Sequence, residues 1–173
     1  MYNFKFQLED KDYIEFNKFY LLKYSKHGKR QLLVFRICTC LLLVVISAFF
    51  FNSHLLFSIL LLVGAVVVVI LSKWFYTKQI EKQVGKIKKE GKLPYGKNVK
   101  LIFRNTDFDQ TSEQGKINSN YNALEAVVCG DDGAVYLFNS AMSGFIIPAR
   151  AFESPQQLHE FMEFMEFVMA LST

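Results

Sequence analysis

The sequence FFFNSHLLF, Phe49 to Phe57, places three polar residues inside the longest apolar stretch of the chain. That stretch runs from Leu32 to about Tyr76. As one helix rising 1.5 Å per residue it would be about 65 Å long, roughly twice the thickness of a hydrocarbon core. Divided in the middle, it gives Leu32 to Phe51 and Leu55 to Trp74, each about the twenty residues that a membrane-spanning helix needs. The pattern therefore predicts a two-span hairpin over residues 32–76, with its tip at Asn52, Ser53 and His54.

Two alternatives to a membrane hairpin fit the residues less well. A buried hairpin in a soluble protein normally shows a polar face, whereas about forty residues of this stretch are almost uninterruptedly apolar. A cleaved signal peptide has its apolar segment near the N-terminus, but the first thirty residues are mixed and charged. We therefore expect the lipid bilayer to be a partner of the chain.

The basic residues predict the orientation of the hairpin. Lysine and arginine flank it on both sides and are missing from its tip. By the positive-inside rule, both termini are cytoplasmic and the tip lies outside. Arg36 falls about one turn inside the first span, where its long side chain can reach the cytoplasmic interface, and Trp74 with Tyr76 forms an aromatic edge on the second. We interpret these three residues as structural anchors at the membrane interface.

The net charge of +4 hides an asymmetry along the chain. Residues 1–17 carry two basic and four acidic residues, residues 18–96 carry thirteen and two, and residues 97–173 carry five and ten. The excess positive charge therefore flanks the hairpin, where it can hold anionic headgroups. Because the remainder is acidic, no nucleic-acid partner is expected.

Residues 1–31 are expected to form a strand and an amphipathic helix. The segment from Tyr2 to Leu8 alternates apolar and polar residues, which indicates a half-buried strand. Asp10 can cap the helix that follows, in which aromatic residues recur at helical spacing as a packing stripe. Gly28 then separates this helix from the first span or bends it into the span.

A basic linker is predicted at residues 77–96. Residues 97–173, which follow it, have the sequence pattern of a β domain. Strands are predicted at Val99 to Phe103, Asp107 to Thr111, Leu124 to Cys129, Ala134 to Asn139 and Phe145 to Ile147; turns are predicted at Gln114-Gly115, Asn118 to Asn120, Gly130 to Gly133 and Met142 to Gly144. Asp132-Gly133 supplies the positive φ that a tight hairpin turn needs. Ser154, Pro155 and Gln157 mark the start of a closing helix. Its residues Leu158, Phe161 and Met165 are expected to lie against the sheet.

The fold class predicted from these patterns is a membrane α-helical hairpin joined to an α+β cytoplasmic domain. That domain would be an antiparallel sheet of roughly six short strands closed by one C-terminal helix.

The order of these elements resembles that of a known family. Tyr121-x-x-Leu124-x-x-Val127-Val128, then Val135-Tyr136-Leu137-Phe138, then Gly144 to Phe152 and a capped helix are similar to the C-terminal domain of YcxB-like bacterial membrane proteins. The likeness extends to the opening strand, to Asp12-Tyr13-x-x-Phe16 and to the hairpin. It implies a pleckstrin-homology-like fold, a bent antiparallel sheet with a C-terminal helix, attached to the bacterial cytoplasmic (inner) membrane. It brings no catalytic residues, and it is weakest over Thr111 to Asn120.

Motifs for catalysis and for metal binding are weak. Asp107-x-Asp109 lacks the glycine and the later glutamate of a calcium loop. His159 and Glu163 lie one helical turn apart, and a solvated ion pair is a simpler interpretation than a zinc site without a third ligand. The sequence contains no glycine-rich phosphate loop and no GxSxG motif. We therefore expect no enzyme activity, no metal and no cofactor.

Two functional hypotheses remain open. The first is a non-catalytic binding or scaffolding module, held at the inner membrane surface so that a protein partner is met at high effective concentration. Open sheet edges, or the groove beside the last helix, would be its docking surfaces. The second is a sensor of lipid headgroups or small ligands, or a regulator of a larger membrane complex, in which Gly64 and Ala65 allow close helix contact. The residues do not choose an oligomeric state.

Overall fold

The computed structural model describes residues 1–90, 97–140 and 143–172, and the chain divides into two compact units. The first unit, called the β domain below, comprises Met1–Asn17 and Lys86–Thr173. The second, called the helical hairpin, comprises Lys18–Gly85. Of the predicted turn at Met142 to Gly144, Met142 lies outside the described residues, whereas Ser143 and Gly144 lie in the strand Ser143–Ile147, so this part of the prediction was wrong. Residues 91–96 of the predicted basic linker also lie outside the described residues.

The described elements follow the predicted order, with one strand more than the sequence indicated after the hairpin. They are β1 (Tyr2–Gln7), α1 (Asp10–Phe19), a π-helix (Tyr20–Tyr24), α2 (Lys26–Phe50), α3 (Leu55–Lys89), β2 (Asn98–Phe103), β3 (Asp107–Ser112), β4 (Gly115–Asn120), β5 (Ala126–Cys129), β6 (Val135–Ser140), β7 (Ser143–Ile147) and α4 (Pro155–Ser172). The prediction of a turn at Asn118 to Asn120 was wrong. These residues pair in register with Asp107 to Asp109, so their backbone groups complete the ladder despite their turn-forming side chains.

The strands form two antiparallel sheets, each a meander. One sheet has the order β1-β2-β3-β4 and the other β5-β6-β7. The predicted Asp-Gly turn joins β5 to β6: Gly133 has φ +76°, and the Gly130 amide donates to the Ala134 carbonyl at 2.7 Å. The predicted antiparallel sheet domain with a C-terminal helix is therefore confirmed, with its strands divided between two sheets.

Strand β1 belongs to the same sheet as β2, β3 and β4, which follow the hairpin in sequence. It pairs along its whole length with β2, from Tyr2 opposite Phe103 to Gln7 opposite Asn98. The alternation of β1 turns Phe4 inward against the buried face of β2, where Leu101 is fully buried. The sequence analysis had treated residues 1–31 and 97–173 as separate regions. The pairing makes the helical hairpin an insertion between two neighbouring strands of one sheet.

Helix α4 covers the inner face of the four-stranded sheet. Its Phe161 is fully buried and meets the rings of Phe4 and Phe103 edge-on, with centroids 5.1 and 4.9 Å away. The cap is close to the predicted one: the Gln157 amide donates to Ser154 Oγ at 3.2 Å. The Gln157 side chain returns to the amide of Glu153, one residue before the expected donor. The aromatic core therefore joins residues from before and after the hairpin.

The helical hairpin contains two helices that are long and apolar enough to cross a membrane. Between residues 33 and 75, 25 large apolar side chains are exposed. Only 11% and 17% of the most apolar windows of α2 and α3 are buried. A core helix of a soluble protein would bury most of that surface, since water disfavours contiguous apolar patches. Helix α3 also continues through residues 77–89, which were predicted as a linker.

A break in the helical path precedes α2. The π-helix ends at Ser25, whose extended backbone (ψ 120°) breaks the helical path and whose Oγ accepts from the Gly28 amide at 3.1 Å. A Cβ at Gly28 would lie 2.3 Å from the carbonyl oxygen of Leu21. Glycine is therefore required because the chain passes over its own preceding turn, and the predicted break near Gly28 is three residues earlier, at Ser25.

Candidate functional site

The outer face of the four-stranded sheet carries a row of lysines. Lys5 on β1 lies directly opposite Lys100 on β2, Lys100 lies opposite Thr111 on β3, and Thr111 lies opposite Lys116 on β4. Side chains directly opposite on antiparallel strands have Cβ atoms about 5 Å apart, and like charges in that position are destabilising. Lys5 and Lys100 are therefore held close together by the register of the sheet.

Two other cations near this sheet face, Arg104 and Lys116, reach carboxylates. Arg104 lies 3.0 Å from Asp107 and 2.5 Å from Asp109, and Lys116 lies 3.3 Å from Asp109. Within residues 1–90, 97–140 and 143–172, neither Lys5 nor Lys100 makes an ion pair. The unneutralised positive charge of the face is thus concentrated at the Lys5–Lys100 pair.

A cleft of about 590 Å³ opens beside the pair. Its lining includes Lys5, Gln7, Asn98, Lys100, Thr111 and Glu113. The Glu113 carboxylate accepts a 2.5 Å hydrogen bond from the side-chain amide of Asn98, which ties it to the end of β2. The cleft therefore combines two ammonium groups with hydroxyl and amide donors and one hydrogen-bonded carboxylate.

Asp107 and Asp109, which lie beside the lysine row, belong to a network of hydrogen bonds. The Asn118 amide donates to Asp109 and Asp107, both at 2.8 Å, and the Arg104 guanidinium donates to the same two carboxylates. Hydrogen bonds from Asn118 and Arg104 lower the pKa of Asp109 to about 2, because they stabilise its ionised form. The same donors lower the pKa of Asp107. These two carboxylates, which the sequence analysis had considered as a metal fragment, each accept hydrogen bonds from Asn118 and Arg104.

An ion pair between Arg150 and Asp12 links two distant segments of the β domain. Arg150, just before α4, donates to both carboxylate oxygens of Asp12 at 2.7 and 2.5 Å and to the carbonyl of Gln7 at 2.6 Å. Bidentate pairs of this kind fix geometry as well as adding energy. The C-terminal part of the domain is thereby held to the segment that leads from β1 into α1.

Strand β4 is an open edge of the four-stranded sheet. Most of its residues are exposed, and Ile117 is 51% exposed. A smaller cleft of about 330 Å³ is lined by residues of β4 and β7 and by Asn139 of β6. The Asn139 side-chain oxygen is buried and accepts no hydrogen bond from the described part of the chain. An exposed edge of this kind is a surface with which an added strand can pair.

The predicted tip residues lie where the hairpin turns. Helix α2 ends at Phe50, residues 51–53 form the turn, and α3 begins at Leu55. The His54 amide donates to the Phe50 carbonyl at 2.8 Å, and the His54 carbonyl accepts from Ser58. Asn52 and Ser53 are exposed at the turn. These contacts satisfy backbone groups at the end of α2 and the start of α3. They indicate a structural role for the tip.

The three predicted interface residues occupy different environments. Arg36 Nε donates to Ser72 Oγ of the neighbouring helix at 2.7 Å, a contact that the sequence analysis did not anticipate. Trp74 is 60% exposed, and Tyr76 is half-buried. Arg36 is therefore a link between the two helices in addition to its predicted role as an anchor.

Small polar residues join the two helices at a second level. Ser47 and Ser58 exchange hydrogen bonds, each hydroxyl donating to the carbonyl of the other residue, at 3.0 and 2.9 Å. Ser58, Ala65 and Ser72 recur every seven residues along α3 and are all buried. This heptad of small residues was readable from the sequence. Gly64, proposed there together with Ala65, instead faces open space.

The remaining candidates for metal or catalytic chemistry stay apart. On α4, His159 Nε2 and Glu163 Oε1 are exposed and lie 3.3 Å apart, which is the contact that the predicted pair requires. Cys38, Cys40 and Cys129 are all unpaired thiols. Over the described ranges no three histidine, cysteine or acidic side chains come together as metal ligands.

Comparison with protein-family models, with curated proteins and with solved structures gives no match for this chain. The resemblance to YcxB-like proteins therefore stays a prediction, and the functional interpretation depends on the residues of the chain itself.

The lysine pair and the pairing of β1 with β2 were missed by sequence reasoning. Lys5 and Lys100 are far apart in sequence, and only the register of two strands separated by the hairpin brings them opposite each other. The alternation of β1 was recognised, but alternation does not identify the neighbouring strand.

Proposed function

We propose that this protein is a non-catalytic, membrane-anchored binding or scaffolding module. Its helical hairpin would cross the bacterial cytoplasmic membrane twice, with the tip outside and the β domain in the cytoplasm. The exposed apolar surface of the two helices supports the membrane assignment, because water would oppose it and lipid would not. The basic residues on both flanks of the hairpin support the orientation.

The observation that carries the proposal is the insertion of the hairpin between β1 and β2. Both ends of the hairpin connect to neighbouring strands of one sheet, paired from residues 2 to 7. A domain tethered in this way stays near the bilayer, which raises its effective concentration for partners there. The open edge at β4 and the cleft beside Asn139 are the surfaces that we propose for a protein partner.

The fold of the β domain supports a relation to pleckstrin-homology-like domains. Four strands and then three form two antiparallel meanders, and the chain closes with a C-terminal helix. We propose that relation, and the YcxB-like kinship that suggested it, on this order of elements alone.

A second candidate function is favoured by the unneutralised Lys5–Lys100 pair. The β domain would then sense a lipid headgroup or a small anionic ligand, or regulate a larger membrane complex. The cross-strand position of the pair, without an ion-paired carboxylate among the described residues, supports this alternative.

Topology is tested by labelling single cysteines from each side of intact cells. In a version without Cys38, Cys40 and Cys129, Ser53→Cys should react with an impermeant reagent added outside, and Ser172→Cys only after the cells are opened. Labelling of Ser172→Cys from outside, or recovery of the chain in the supernatant of cells broken without detergent, would contradict the anchoring.

Partner binding is tested separately by cross-linking at the edge of the sheet. A photoreactive residue at Ile117 should capture a defined protein partner in intact cells. The same residue at Phe167, which is exposed on α4, is the matched control. Equal capture at both positions would remove the β4 edge as a docking surface.

A further inference from the structure

We propose that the Lys5–Lys100 pair binds the phosphate group of an anionic ligand, either free in solution or carried by a lipid headgroup. The proposal gives the second candidate function a ligand class and a site, and it rests on that function. Three features of the face lead to it.

The first feature is the position of Lys100. Lysine on an edge strand protects the sheet from pairing with another chain, and this explanation covers Lys5 on β1 and Lys116 on β4. It does not cover Lys100, because β2 lies between β1 and β3. An interior strand gains nothing from such protection, and Lys100 repels Lys5 across the ladder.

The second feature is the distribution of countercharge. Arg104, Lys116 and Arg150 each lie within 3.3 Å of a carboxylate oxygen. In the described part of the chain, the Lys5–Lys100 pair has no such partner. The carboxylate that lines its cleft, Glu113, is hydrogen-bonded by Asn98. A dianionic phosphate would neutralise both ammonium groups at once.

The third feature is the chemistry and size of the cleft. Thr111 is opposite Lys100 in the next strand, and Gln7 also lines the cleft. A hydroxyl and an amide therefore stand beside the two ammonium groups as additional donors for phosphate oxygens. A volume of about 590 Å³ leaves room for a phosphate together with the group that it esterifies.

The test uses the full chain in nonionic detergent micelles and isothermal titration calorimetry. The probes are inorganic phosphate and short-chain dihexanoyl phosphatidic acid, whose phosphomonoester can carry two negative charges, each compared with chloride at equal ionic strength. Lys5→Gln and Lys100→Gln remove one charge each. Lys11→Gln removes an exposed charge from α1, at a residue that does not line the cleft, and is the control.

We expect the unaltered protein to bind at least one probe, and Lys5→Gln and Lys100→Gln each to weaken that binding at least tenfold. Lys11→Gln should leave it unchanged. Binding of inorganic phosphate, with or without the lipid, indicates that the phosphate group alone is recognised, and binding of the lipid alone indicates that the site requires a headgroup held on a lipid. Binding of neither probe above chloride, or equal loss in Lys11→Gln, would overturn the proposal.

Thermal unfolding without ligand guards against loss of folding. Lys5→Gln and Lys100→Gln should unfold at the same or a higher temperature than the unaltered protein, because the repulsion across the ladder is relieved. A lower unfolding temperature in both variants would mean that the lysines serve the fold, and would overturn the proposal. Failure of phosphate binding leaves the topology experiment untouched, so the two proposals fail separately.

Discussion

Replacing Phe4 with alanine tests whether the β domain depends on a strand that precedes the hairpin. Phe4 is only 3% exposed, and its ring lies 5.0 Å from Phe152 and 5.1 Å from Phe161. Truncation of a buried phenylalanine costs about 3–5 kcal/mol, from lost transfer energy and the cavity left behind. We expect Phe4→Ala to lower the free energy of unfolding of the β domain by this amount.

Amide hydrogen exchange followed by mass spectrometry measures that loss region by region. At about 1.4 kcal/mol per factor of ten, amides of β2 and β3 should exchange roughly 100- to 4,000-fold faster in Phe4→Ala. Phe167→Ala is the matched control, because Phe167 is 63% exposed and its loss should change exchange by less than about threefold. Unchanged protection of residues 98–112 in Phe4→Ala would refute the placement of β1 in this sheet.

Three further changes test other contacts, each in the full chain. Arg150→Ala should lower the free energy of unfolding by about 1–2 kcal/mol, because it breaks an ion pair with Asp12 that solvent partly screens. Asp12→Asn should give a similar loss and the double variant little more, because both changes break the same pair. Fully additive losses in this double-mutant cycle would contradict a direct contact. Because the pKa of Asp109 is lowered to about 2, its contribution to stability is present above the ordinary aspartate pKa of about 4 and is lost as the pH falls toward about 2. Asp109→Asn should therefore flatten the fall of the unfolding temperature between these two pH values. An unaltered pH profile in this variant would exclude the role. Gly28→Ala should speed amide exchange in residues 20–30, because its Cβ would meet the Leu21 carbonyl oxygen, and unchanged exchange would show that the turn tolerates a side chain.

The elements that were predicted well are those specified by local patterns. The two apolar helices, the Asp-Gly turn and the cap at Ser154 each depend on neighbouring residues, so the sequence was sufficient to locate them. The strand β4 was missed because Asn118 and Asn120 have side chains that favour turns. Pairing with β3 overrides that local preference.

The candidate site was beyond local patterns for a different reason. The Lys5–Lys100 and Arg150–Asp12 contacts join residues from opposite sides of the hairpin, and each depends on register or docking. Alternation in β1 identified its inward face but left its partner strand open. The small buried residues Ser58, Ala65 and Ser72 of α3, by contrast, recur every seven residues, and this local spacing could have been found in the sequence.

The insertion of the hairpin between β1 and β2 also orders the events of biosynthesis. About ninety residues separate the end of β1 from the start of β2. At 5–20 residues per second, a ribosome adds them in roughly 5–20 seconds, during which the aromatic strand YNFKFQ has no partner. Closure of the four-stranded sheet must therefore wait until the whole hairpin has been synthesised, and β1 is an unpaired aromatic segment until then. A chaperone that binds short aromatic segments would act during that interval.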